Sequence, residues 1–151
     1  MCDISFPLDR AACLPFHELI FEEGECEVRV WNAERQDCRS IAFGGREAND
    51  AIVIWVYARA PRQGGFPAAR GRIAFEMLLA HFREERPVPA IEASWSPSSD
   101  NHAKFFALRA SADDQTAALG TWTGEQAARA GYGRVVDIEL RGEVVRVRFE
   151  P

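Results

Sequence analysis

Lysine is almost missing from this chain: of its 18 basic residues, 17 are arginine and only Lys104 is lysine. Arginine supplies a permanent, fork-shaped cation, but it does not replace a compact, titratable ammonium. Any such role falls to Lys104. The imbalance fits GC-rich coding, and it also fits an effector selected to escape ubiquitin ligation in a host. Long apolar runs are missing too. The longest, Ala51 to Ala58, is strand-sized and far below the roughly 20 residues a membrane helix needs. No membrane partner is expected. The first ten residues hold Asp3 and Pro7 and lack the basic-then-apolar order of a secretory leader. A cytoplasmic location is therefore expected, with delivery into a target cell by a secretion system left open.

Tight cysteine pairs are absent as well. Cys2, Cys13, Cys26 and Cys38 stand at spacings of 11, 13 and 12, with no C-x-x-C knuckle and no histidine pair at ligand spacing. Reduced thiols are the expectation; disulfides or a four-thiolate site are the arithmetical alternatives. No metal and no cofactor are expected. A net charge of −5 argues against non-specific binding to a phosphate backbone. The 151 residues, 47% apolar and 27% charged, suit one globular domain over 1–151.

The patterning turns from period two to period 3.6 along the chain. Strands are read at His17 to Phe21, Glu25 to Trp31, and Ile41 to Phe43, the last ending at Gly44-Gly45. The run Ala51 to Arg59 reads as a central strand buried on both faces, with Ile52, Ile54 and Val56 opposite Val53, Trp55 and Tyr57. Ala60 to Gly71, rich in glycine and proline, reads as a mobile loop. An amphipathic helix follows from about Arg72 to Glu85 and is stopped by Pro87 and Pro89. Ile91 to Trp95 is a strand, and the loop Ser96 to Asn101 leads into a helix over Asn101 to Ala110. Further helices are expected over Asp113 to Leu119 and Gly124 to Ala130, the last closing at Gly131. Val135 to Leu140 and Val144 to Phe149 form a hairpin through Arg141-Gly142. This order predicts an α+β fold: one antiparallel or mixed sheet, half-barrel-like, with helices packed on one face.

Polar chemistry concentrates in two loops, Trp95 to His102 and Thr121 to Gly124. Asp100 as base, His102 as acid and Lys104 as cation form the candidate catalytic set of a metal-independent nuclease. Trp95, Ser99, Asn101, Thr121, Trp122 and Thr123 are the candidate substrate contacts, the tryptophans through stacking. Each residue also has a structural reading. Ser99 or Asp100 is a good helix cap, Thr123-Gly-Glu-Gln126 matches a capping box, and the tryptophans seal a core edge. No G-x-S-x-G elbow and no phosphate-binding glycine loop is present. If both loops meet, two helix N-termini would share one anion-sized cleft with Lys104.

Trp95, Ser99, Asp100, Asn101, Phe105, Thr121, Trp122, Thr123, Gly124, Ala127 and Gly131 together make a recognisable pattern. It resembles the C-terminal effector modules of bacterial polymorphic toxins of the Rhs and filamentous-haemagglutinin type. The resemblance covers Trp95 to about Val136, about a third of the chain. It implies a domain acting in a competing cell, on a nucleic-acid, nucleotide or protein target, and it assigns no catalytic role to a particular residue. The first functional expectation is thus a small effector enzyme, a ribonuclease or nucleotide-modifying toxin with RNA or nucleotide as substrate and a cognate immunity protein as partner. The other is a non-catalytic binding module, immunity-type or adaptor, since acidic surfaces suit the neutralisation of basic toxins.

Overall fold

The computed structural model describes residues 3–4, 19–23, 27–32, 40–56 and 68–151, with the backbone alone at 3–4, 19–23, 27–32, 40–41 and 68–70. The four cysteines, His17 and the stretch 57–67 lie outside the described residues, and with them the expectations placed there. Two compact units interleave along the chain: Met1–Arg46 with Ile54–Arg86, and Glu47–Val53 with Pro87–Pro151. Among the described residues the pairing of β-strands is mostly antiparallel, with one parallel pairing, and the class is α+β with a mixed sheet.

In the first unit, β1 (Asp3–Ile4), β2 (Leu19–Glu23), β3 (Glu27–Asn32) and β4 (Ser40–Arg46) form an antiparallel meander. Gly44 and Gly45 lie inside β4, paired with Val28 and Glu27, so they do not end the strand as the sequence suggested. β5 (Ile52–Val56) follows β4 in strand order. It is not buried on both faces. Ile52 and Ile54 are buried, Val53 and Val56 half-buried, and Trp55 is 38% exposed with its ring stacked 5.8 Å from Phe43. A continuous apolar run signals a strand, but it cannot say how much of each face is covered.

Helix α1 (Ala68–Glu85) begins four residues before the expected Arg72. Ala68, Ala69 and Arg70 are strong helix formers and carry the helix through Gly71. Its buried stripe is Ala74, Phe75, Met77, Leu78, Leu79 and Phe82, with His81 beside it. The C-terminus is capped from outside the helix. The Arg46 guanidinium donates to the carbonyls of Phe82 at 2.8 Å and Arg86 at 3.4 Å, and stands 4.0 Å from the Glu85 carboxylate. A cation there adds a second donor to the Phe82 carbonyl, which also accepts from the Arg86 N–H at 3.3 Å, and complements the negative helix end.

In the second unit, the first residues of β5 pair in parallel with β6 (Ile91–Trp95), Ile52 opposite Ile91. β6 pairs antiparallel with β8 (Val144–Glu150), and β8 with β7 (Arg134–Arg141), so the later hairpin strand lies inside. Gly142 opens the two-residue turn with φ of 59°, as the first position of a II′ turn requires. Ile91, Ala93, Trp95, Val145, Val147 and Phe149 are buried, while Glu92, Arg146, Arg148 and Glu150 alternate with them on the other face. Three helices complete the unit: α2 (Asp100–Arg109), α3 (Asp114–Leu119) and α4 (Trp122–Arg129). Their core contribution is Phe105, Ala117, Ala118 and Ala127, with Tyr132 donating its hydroxyl to the Val88 carbonyl at 2.8 Å.

Candidate functional site

Ser99 caps α2. Its extended backbone turns the chain and its Oγ accepts from the His102 N–H at 3.2 Å. With Asp100 as the first residue of the helix, the 3.6-residue period decides the rest. Asp100 and Lys104 stand four apart and share a side, whereas His102 stands two from each and points elsewhere. Accordingly His102 reaches the hairpin turn, its Nε2 2.8 Å from the Glu143 carbonyl oxygen, and its ring packs 4.7 Å from Phe106. A carbonyl oxygen only accepts, so Nε2 carries the proton. The expected catalytic set of Asp100, His102 and Lys104 is therefore divided between two sides of one helix. Lys104 is exposed and makes no ion pair among the described residues.

The two polar loops do meet. The Asn101 Nδ2 donates to Thr123 Oγ1 at 2.8 Å, and the Thr123 N–H donates to Asn101 Oδ1 at 3.2 Å. Both ends of the Asn101 amide are thus engaged by Thr123, which ties the start of α2 to the start of α4. Thr123 is not the cap of α4. That residue is Thr121, fully buried, whose Oγ1 accepts from the Gly124 N–H at 3.0 Å and donates to the Ala118 carbonyl at 2.7 Å. The capping-box reading failed because Thr123 is held by a tertiary partner and the helix starts two residues earlier than expected. Trp95 is 3% exposed, 5.8 Å from the Phe105 ring, and has no open face on which a base could stack. Its Nε1 is buried and has no hydrogen-bond partner among the described residues. Trp122 is half-buried.

Two further arrangements lie outside the expected set. Asp113 caps α3, accepting from the Thr116 N–H at 2.7 Å, and that backbone hydrogen bond holds its carboxyl below the ordinary value of 3.8. Asp114 pairs with Arg109 at 2.7 Å. On the sheet, Glu92 takes Arg148 at 2.8 Å and Asn49 at 3.1 Å, with Arg146 at 3.8 Å. Arg148 also holds Glu150 at 3.0 Å, and this bond, then Glu92, raises the guanidinium above its ordinary value. The period-two alternation of Arg146, Arg148 and Glu150 was the available signal for this ladder. Among the described residues no cluster of histidine, cysteine, aspartate or glutamate is disposed to hold a metal, and no helix is long and apolar enough to cross a membrane.

Compared with family models, curated proteins and solved structures, the chain matches none. Several residues that carry the polymorphic-toxin resemblance have architectural roles in the fold. Trp95 packs on Phe105, Ser99 and Thr121 cap, and Asn101 ties Thr123. A Cβ on Gly124 would lie 2.1 Å from the Ala118 carbonyl oxygen. Ala127 is buried, and Gly131 leaves α4 with φ of 95°.

Proposed function

We propose that this chain is a non-catalytic protein-binding module of the immunity or adaptor kind. The observation that carries this reading is the division of Asp100 and Lys104 from His102 around α2, with His102 held on the Glu143 carbonyl. General acid–base catalysis needs its groups within reach of one substrate, about 2.6–3.2 Å from the proton transferred. Of the remaining candidates, Ser99, Asn101, Thr121, Thr123 and Trp95 serve caps, the helix tie and the core, and Trp122 is half-buried at the start of α4. Expression in a bacterial host tests it. Growth is expected to match that of an empty-vector control, and arrest that depends on Asp100, His102 or Lys104 would refute it.

The tie between Asn101 and Thr123 favours a second reading, the small effector enzyme acting on RNA or a nucleotide. It supports the idea that the two loops build one site. On that reading Asn101→Ala removes activity per folded molecule, whatever it does to the melting temperature. On the binding-module reading the same substitution only lowers the melting temperature, because it releases α4 from α2, and there is no activity for it to remove.

A further inference from the structure

Around α2 the exposed residues fall in one sector. Ala103, Phe106, Ala107 and Ala110 recur at helical spacing, and Phe106 is 40% exposed. A single exposed apolar side chain is ordinary on a protein surface; here it sits among three exposed alanines on one helix face, and its own motion is restricted. Phe106 is held. The Phe105 ring stands edge-on at 5.3 Å, His102 lies at 4.7 Å, and the Arg109 guanidinium is 5.9 Å from the ring centre. Those contacts fix the ring before any partner arrives, which reduces the ordering cost of binding. Small side chains beside it let another helix approach to about 8–10 Å between axes. The charges on the rim are unequal. Arg109 is neutralised by Asp114 at 2.7 Å, while Lys104 has no carboxylate partner among the described residues. Asp100 marks the N-terminal end of the same edge, where the helix dipole favours an acid.

We propose that the outward face of α2 is a docking surface for a partner helix that covers Phe106 and sets a carboxylate against Lys104. This rests on the binding-module reading and names its surface. The chain as a whole carries −5, so the partner's carboxylate is read at contact by Lys104 and not through the long-range field.

The test uses the full chain labelled with ¹⁵N and two synthetic amphipathic helices. Both carry leucines at the same helical spacing; one bears glutamates on its flanks and the other lysines. The acidic helix is expected to shift the amides of 103–110 and to bind at least about tenfold more tightly than the basic one, with Phe106→Ala weakening it by a similar factor. Lys104→Glu is expected to reverse the preference between the two helices. Lys104 is exposed, so Lys104→Glu should keep the wild-type melting temperature; Phe106→Ala also gives up its ring contacts, so its binding is read well below its own melting temperature, with the fold checked by the ¹⁵N spectrum. Equal binding of the two helices, shifts elsewhere on the chain, or full binding by Phe106→Ala would each overturn the proposal. So would wild-type self-association that Phe106→Ala abolishes, since the occupant would then be a second copy. Hydrolysis of RNA or NAD by the wild-type chain, with peptide binding as expected, would instead defeat the non-catalytic reading and leave the docking face standing.

Discussion

Gly124 shows how much a single residue can fix. It is the third residue of α4, and an added Cβ would meet Ala118 O at 2.1 Å and the Leu119 Cα at 2.7 Å. Both are backbone atoms, so no rotamer change relieves the clash. Gly124→Ala should cost at least about 1–3 kcal/mol in urea denaturation, the usual scale of overpacking. Gly133→Ala is the control, because its Cβ meets nothing closer than 3.9 Å and should leave the midpoint nearly in place. Thr121→Ala should cost about 0.5–2 kcal/mol by removing the cap, with the loss read in the same experiment. Thr121 and Thr123 also mark a limit of sequence reading. Both are hydroxyl residues just before an apolar helix, and the glutamine three places on favours Thr123. Only the partner at Asn101 decides between them, and nothing local in the sequence encodes it. The separation of His102 from Asp100 and Lys104 was legible: a spacing of two on a helix does not share a face.

At the scale of elements, boundaries set by local chemistry were the readable ones. β6 runs from Ile91 to Trp95 as its alternation indicates, and α1 ends at Glu85 ahead of Pro87. The start of α1 was obscured because glycine at 71 suggested a loop, whereas three helix formers precede it. The cap that Arg46 places on α1 was not readable, since 36 residues separate it from Phe82. Replacing Arg46 with methionine should leave the Phe82 carbonyl only its bond from the Arg86 N–H at 3.3 Å, and remove the cation from the helix end, lowering stability by about 0.5–1.5 kcal/mol, measured by thermal and urea unfolding. α3 gives a pH signature. The folded Asp113 carboxyl titrates below its unfolded value of 3.8, so the unfolded chain binds more protons through that interval. Its contribution is complete above the unfolded value and fades as pH falls through the lowered folded one. The melting-temperature gap between wild type and Asp113→Ala should therefore hold steady at neutral pH and narrow in acid below 3.8. A gap that stays constant down to full protonation would show that the carboxylate charge is not what caps α3.

For the whole molecule, the segment that most invites a chemical reading is built mainly of structural parts. The strand-then-helix order was enough to give an α+β class, because segregated periodicities exclude a regular alternation of strand and helix. Function is less legible, since the same polar types serve caps and catalysts alike, and only their partners distinguish the two. Here Ser99, Asn101, Thr121 and Thr123 are hydrogen-bonded within the fold, and His102 holds the β7–β8 turn. The most direct test is to incubate the purified chain with total RNA, plasmid DNA and NAD, alongside the His102→Ala variant. All three substrates should remain intact with both proteins over hours at neutral pH. Consumption of any one by the wild-type chain, lost in His102→Ala while that variant keeps its fold by circular dichroism, would contradict the account.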